Sequence, residues 1–273
     1  TRPFRLDAPP LTVLSLGAGV QSSTLALMAA NGKIQPMPEL ALFADTQAEP
    51  ADVYAYLDVL ERLLPFPVVR VTQGNLETET LRTWIKKDGQ TTVKSSLPTW
   101  VMANGEAKPL MRKCTLDFKV RPIVRYLRQI REGRPVEQWI GISLDEAHRM
   151  KVSQKSWVTN RWPLIEERMK RHDCLRWLDA NGYPKPPRSA CYFCPYHSDE
   201  EWRRLRDNQP ESWQQAIDFE KRMHQAYKHH SSAKYLPYLH RSCIPLEQVD
   251  LRTKEERGQA SFFGNDCSGM CGV

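Results

Sequence analysis

The sequence predicts an α/β protein: a doubly wound, mostly parallel sheet with helices on both faces, plus a helical, cysteine-containing C-terminal region. Three observations predict it. Short apolar, β-prone runs alternate with segments of helical spacing as far as Met150. A glycine-containing turn joins the first of these runs to the first helix. After Met150 the alternation stops, and a Pro-rich loop, a Cys-x-x-Cys and a long helical stretch follow. The expected division is therefore residues 1–150 as the α/β domain and 151–273 as a helical, loop-rich region.

Leu11 to Leu16 is an apolar strand, ended by Gly17-Ala18-Gly19. Ser22 to Ala30 reads as a helix on Leu25, Leu27, Met28 and Ala29, with Asn31-Gly32 as its stop. Leu40 to Ala44 is the second strand, closed by Asp45-Thr46. Ala51 to Leu64 is helical through Val53, Leu57, Leu60 and Leu64, and Pro65 ends it. Val68 to Val71 gives a third strand, Leu76 to Lys87 a third helix, and Phe118 to Arg131 a fourth helix with a stripe at Ile123, Val124, Leu127 and Ile130. Trp139 to Ser143 is a fourth strand. Pro184-Lys185-Pro186-Pro187 marks a loop, and Ser198 to Tyr227 a helix with a break at Pro210. No internal repeat or low-complexity tract is visible.

Composition narrows the class. With 41% hydrophobic residues and a net charge of only +7, the chain is not disordered over most of its length. No apolar run approaches the roughly 20 residues of a membrane span, and Thr1 to Asp7 has no apolar h-region, so a cytoplasmic protein is expected. The chain starts at Thr1 without Met, which points to a trimmed N-terminus. Seven cysteines in a chain of this length point to reduced thiols used for metal binding or catalysis rather than to disulfide staples. The positive surplus is a mild hint of a polyanionic partner.

Leu14-Ser15-Leu16-Gly17-Ala18-Gly19-Val20-Gln21-Ser22-Ser23 is the most informative stretch. Gly17 and Gly19 permit close backbone approach to a ligand, while Ser22, Ser23 and the first helical amides can hold an anion. No Gly-Lys-Ser/Thr follows, so it is not a Walker loop, and the third glycine of a dinucleotide fingerprint is missing. The plain alternative is a tight strand-to-helix turn with a serine cap. Asp45, at a strand end, can accept from an adenine amine or ribose hydroxyl, or simply cap a turn. Arg112, Lys113, Lys119 and Arg121 form a cationic patch around Cys114, suited to a polyphosphate and able to lower the thiol pKa. Lys119 and Arg121 can equally line a solvated helix face with Arg125 and Arg128. Glu146 and Arg149 have the spacing of a surface ion pair.

Gly17 to Ser22 resembles the Ser-Gly-Gly-x-Asp-Ser loop of the adenine nucleotide alpha hydrolase superfamily, the N-type ATP pyrophosphatases, with Gly17 for Ser, Ala18 for Gly and Gln21 for Asp. Within it the chain is similar to the phosphoadenosine phosphosulfate reductase branch. Phe43-Ala44-Asp45-Thr46, Arg112-Lys113-Cys114-Thr115 with Lys119 and Pro122, and Gly141-Ile142-Ser143-x-Asp145-Glu146-x-x-Arg149 resemble its further segments, in the expected order. The resemblance implies ATP bound by Ser15, Gly17, Ala18, Gly19, Gln21, Ser22, Ser23, Asp45, Arg112, Lys113, Gly141, Glu146 and Arg149, with accompanying Mg²⁺. Cys114, Lys119 and Cys267 are then the catalytic candidates.

Cys191-x-x-Cys194 is the strongest metal signal, since its spacing lets two thiolates reach one ion or cluster edge. Iron–sulfur reductases of the branch pair such a motif with an upstream cysteine segment. Cys114 stands there alone, and Cys174 is a candidate for the missing ligand. This set also resembles that of the DndC and SspD type enzymes of DNA phosphorothioation. A [4Fe–4S] cluster on Cys114, Cys174, Cys191 and Cys194 is expected. Zinc on Cys174, Cys191 and Cys194 with His197 or Cys114 is the alternative. Cys243 fits a plain buried residue. Asp266-Cys267 loosely resembles the Glu-Cys-Gly tail whose thiol attacks sulfur, a disordered end is the equal alternative, and one of Cys267 and Cys271 is a further candidate for the fourth cluster ligand.

Aromatic and basic residues interleave over residues 157–241, a pattern that suits nucleic acid or a basic face over an aromatic core. The resemblance implies an ATP pyrophosphatase that adenylylates a nucleic acid, DNA or tRNA, for sulfur insertion, with a cysteine desulfurase as sulfur donor. The rivals are a sulfonucleotide reductase using Cys267 and a zinc-stapled nucleic-acid-binding protein without activity.

Overall fold

The structure is a computed structural model that describes residues 8–89, 91–93, 96–228, 234–253 and 256. Two compact units divide the chain, residues 1–73 with 116–189 and residues 74–115 with 190–273. Each unit thus draws on two separate stretches, unlike the expected division at residue 150.

The first unit carries five parallel strands: β1 (Leu11–Leu16), β2 (Leu40–Asp45), β3 (Val68–Thr72), β4 (Val136–Ile140) and β5 (Val158–Arg161), ordered β3-β2-β1-β4-β5. Its main helices are α1 (Val20–Ala30), α2 (Ala51–Leu63), α3 (Arg121–Ile130) and α4 (Arg171–Ala180). Successive strand side chains point to opposite faces, so one strand feeds two cores. Leu14, Leu16, Ala41, Phe43 and Trp139 pack on one face with Leu25, Leu57, Leu60 and Leu178 of α1, α2 and α4. Val13, Leu42, Ala44 and Val136 pack on the other with Leu127 of α3. Each fully buried Leu or Val contributes about 1.5–3 kcal/mol. The sheet is therefore doubly wound, as the alternation predicts.

Three expected elements differ. The fourth strand lies at Val136–Ile140 rather than 139–143, because Val136 and Trp139 are its buried positions and Gly141 lies past its end. The helix expected over 76–87 stops at Leu81. Thr83–Ile85 then pairs antiparallel with Thr91–Val93, as the β-branched and aromatic run Thr83-Trp84-Ile85 favours. The fourth helix starts as a π-helical segment, Thr115–Val120, before α3. β5, α4 and a hairpin of Trp100–Ala103 with Glu106–Pro109 went unpredicted. Asn104 and Gly105, both at positive φ, turn that hairpin, and Asn-Gly is its sequence signal.

In the second unit, α5 (Asp199–Asn208) starts at Ser198, whose hydroxyl accepts from the Glu201 amide, and α6 (Pro210–Lys228) starts at the expected break. Trp202, Leu205, Phe219 and Met223 are among its fully buried residues. Buried Glu220 accepts from the amides of Leu239 (2.8 Å) and Leu246 (2.6 Å), fixing the loop that follows. Among the described residues, no helix is long and apolar enough to cross a membrane.

Candidate functional site

The chain runs outward from β1 through β2 to β3, then returns to β4 on the other side of β1. The carboxyl ends of β1 and β4 thus flank the switch point at which open α/β sheets hold ligands. The Gly17-Ala18-Gly19 turn follows β1 there, with Ala18 in the left-handed region at φ 55°. The Gly17 amide donates to Ser22 Oγ (3.1 Å), and the Ser22 hydroxyl donates to the Gly19 carbonyl (3.3 Å). Among the described residues no side chain caps α1 at Gly19, and its first turn carries no acid to offset its positive end. Gly141, after β4, has a structural duty as well: a Cβ there would lie 2.8 Å from both Ser22 Cα and Ser22 N.

Two side-chain networks flank the turn. In one, Gln21 Nε2 donates to Glu146 Oε2 (3.1 Å) and reaches Ser143 Oγ (3.5 Å), while Gln21 Oε1 accepts from Arg171 Nη1 (3.0 Å). Arg149 pairs with Glu146 at 2.8 Å. The Arg171 amide donates to Asp145 Oδ1 (3.0 Å). Burial works to raise the Asp145 carboxyl, but bonds from Ser143 and the Arg171 amide outweigh it and hold it below the usual range. In the other network, buried Glu49 accepts from Lys119 Nζ and from Ser189 Oγ, each at 3.4 Å. Ser189 Cβ lies 3.8 Å from where a Cβ on Gly19 would be. Asp45, at the end of β2, accepts on Oδ1 from the Gln47 amide and the Tyr54 hydroxyl, both at 2.7 Å. Burial, then the bond to Asp45, pushes the Tyr54 phenol up and keeps it a donor.

The structure thus brings together Gly17, Ala18, Gly19, Gln21, Ser22, Gly141, Glu146 and Arg149 of the expected set. Ser23 is buried on α1 in the same unit. Ser15 accepts from Gln138 Nε2 across the sheet (2.6 Å). Arg112, Lys113 and Cys114 belong to the second unit. There the Arg112 guanidinium lies 5.5 Å from the Tyr196 ring centroid, and the Lys113 and Cys114 amides both donate to the Ser96 carbonyl. Sequence reasoning missed Glu49, Arg171 and Ser189 as members of the site. Glu49 had a signal, four residues beyond Asp45 at the start of the next helix; Arg171 and Ser189 had none.

The expected metal cysteines divide between the two units. Cys174 is fully buried in the first unit's core, where burial pushes its thiol up to about 12. Cys114, Cys191 and Cys194 lie in the second unit. The Cys191 turn is closed by its own backbone: the Cys194 amide donates to the Cys191 carbonyl (2.9 Å), which also meets His197 Nε2 (2.9 Å). Among the described residues, no three of His, Cys, Asp and Glu come together as metal ligands. Cys267 and Cys271 lie outside the described residues. Cys243 is half-buried in a turn at φ 53° rather than in a core. The aromatic residues are mostly packing groups: Trp157, Trp177 and Tyr183 lie against the sheet cores, and Trp202 is fully buried.

The fold and the turn define a doubly wound α/β protein with an anion-receptive helix end at its switch point. No protein-family model matches the chain, and no curated protein matches it. Among solved structures it is similar to phosphoadenylyl-sulfate (PAPS) reductase from Candida auris, crystallised as a phosphate complex. Identity is 13% and the TM-score 0.41, over 66% of this chain and 76% of that one.

Proposed function

We propose that the first unit binds ATP with its phosphates on the Gly17 to Ser23 turn and cleaves it between the α- and β-phosphates, adenylylating a nucleic acid. The observation that carries this reading is the uncapped amino end of α1 at the switch point. A phosphate docked there accepts from the first helical amides and meets the positive end of the helix. Lys119, Arg149 and Arg171, in the two flanking networks, offset phosphate charge. Asp45 suits a ribose hydroxyl, since its described bonds all reach Oδ1.

In the proposed reaction an acceptor oxygen attacks the α-phosphorus. The bond from that phosphorus to the bridging oxygen breaks, and pyrophosphate leaves with the electron pair. Lys119 meets the charge that builds on the leaving group. The net charge of +7 favours a polyanionic acceptor such as DNA or tRNA. Adenylylation of this kind is the activating half of sulfur insertion. A sulfur donor, such as a cysteine desulfurase, enters the proposal only as an external partner, because no thiol set is assembled among the described residues.

The test is turnover of ATP labelled at the α- and γ-phosphates by the full chain, with DNA or tRNA present. Nucleic-acid-dependent release of labelled pyrophosphate, lost in Lys119→Met, supports the reading. ATP that binds but is not cleaved overturns the reaction, and failure to bind ATP overturns the site. Sulfite release from a sulfonucleotide instead would move the assignment to a reductase, a reading that rests on Cys267.

A further inference from the structure

We infer that phosphate charge at this turn is balanced by the Arg171 guanidinium, held in place through Gln21, so that nucleotide binding by this chain does not require a divalent cation. The inference rests on the nucleotide reading above and departs from the Mg²⁺ that the family resemblance implies.

The donor set argues against a built Mg²⁺ site. Mg²⁺ takes hard oxygen ligands, commonly one or two carboxylates besides the substrate phosphates. Where the family pattern has Asp, this chain has the neutral amide of Gln21. The neighbours also fix which way that amide points. A carboxylate can only accept, so Glu146 takes the Gln21 NH₂. A guanidinium can only donate, so Arg171 takes the Gln21 oxygen. The only side-chain oxygen at position 21 therefore already faces a cation.

The carboxylates of the two flanking networks are engaged as well. Glu146 pairs with Arg149 and with Gln21. Asp145 accepts from the Arg171 amide. Glu49 is buried against Lys119 and Ser189. No three acidic, His or Cys side chains group for a metal among the described residues.

Arg171 is suited to the role a cation would otherwise fill. It is the first residue of α4, and its backbone is tethered by Asp145. Its side chain is solvent-exposed, and the bond to Gln21 uses one guanidinium N–H, leaving the rest of the planar fork for phosphate oxygens. Gln21 thus acts as a neutral spacer, positioning a fixed positive charge where an Asp would recruit a mobile one.

Calorimetric titration of the full chain with ATP, once in EDTA and once in Mg²⁺, tests this. The two affinities should agree within about threefold, and Arg171→Met should lose about 10- to 150-fold in EDTA, the range for a hydrogen bond to a charged group. Arg171→Lys, which keeps the charge but not the fork, should fall between. Gln21→Asp should weaken binding in EDTA and make Mg²⁺ restore it, because its carboxylate both neutralises Arg171 and offers a metal ligand. Melting temperatures of the variants show whether each is folded. Wild-type binding seen only with Mg²⁺ overturns the inference and leaves the nucleotide reading standing. No binding in either buffer overturns the nucleotide reading itself.

Discussion

Replacing Gly141 by Ala should damage the fold and the site together. The added Cβ would lie 2.8 Å from Ser22 Cα, 2.8 Å from Ser22 N and 3.1 Å from Gln21 C. Ordinary carbon contacts sit at about 3.5–4.0 Å, so the gap to Ser22 Cα falls short by about 0.7–1.2 Å. All three atoms are backbone, so no side chain can rotate away. The first turn of α1 must move off β4, while β1 and β4 stay tied by their ladder. Overpacking of this kind costs about 1–3 kcal/mol, which lowers the melting temperature of a domain this size by about 2–12 °C. Gly17→Ala is the matched control. Its Cβ would meet only Ser22 Oγ, at 3.6 Å, and its φ is not in the left-handed region. Scanning calorimetry of both variants decides. A Gly141→Ala protein that melts with wild type, or a Gly17→Ala protein that falls as far, would refute the close-approach argument.

Three further outcomes are expected. Burial holds the His240 imidazole below its usual value of 6.5, against the pull of Asp199, so the native state takes up that proton later than the unfolded chain does. Its contribution to stability is therefore present above 6.5 and lost as pH falls through the lower folded value, and His240→Gln should flatten the melting temperature between about pH 7 and about pH 5. Cys174 should resist iodoacetamide in the native protein and react only on unfolding, as peptide mass spectrometry would read; native labelling would disprove its burial. Lys119→Met leaves the Glu49 carboxylate with Ser189 among its described partners and should cost about 1 kcal/mol, less than for a fully buried pair because Lys119 is partly exposed. Adding Glu49→Gln should recover most of that loss in urea unfolding, and simple additivity would show that the pair is not coupled.

The sheet was legible because its strands are buried on both faces. Runs such as Leu11 to Leu16 and Leu40 to Ala44 stand out as continuous apolar segments between helical ones. β5 was not, because Val158-Thr159-Asn160-Arg161 sits at the sheet edge with one buried residue and reads as polar loop. α4 hid for a similar reason: only Cys174 and Leu178 of its ten residues are fully buried. Discontinuous units are harder still to read. Residues 151–189 return to the first unit's sheet, while 74–115 leave it for the second unit, and neither move has a local signal. The cysteine set is divided in the same way. Spacing in the chain suggested one site, yet Cys174 packs under α1 in one unit and the Cys191 turn lies in the other.

The turn and its charges were unequally legible for a physical reason. Gly17, Gly19 and Gly141 answer to backbone geometry, which a few consecutive residues determine, so they show in the sequence as a pattern. Compensating charge needs only a suitable side chain within reach, and the fold can bring it from anywhere. Lys119 comes from the π-helical entry to α3, Arg149 from the turn after β4, and Arg171 from the start of α4. Gln21 reads by itself as the loss of an acid. Beside Arg171 it is one half of a hydrogen-bonded pair, its oxygen accepting from the guanidinium. A departure from a motif therefore has to be judged by what the fold places against it, and here a residue 150 positions away in the chain faces the altered one at 3.0 Å.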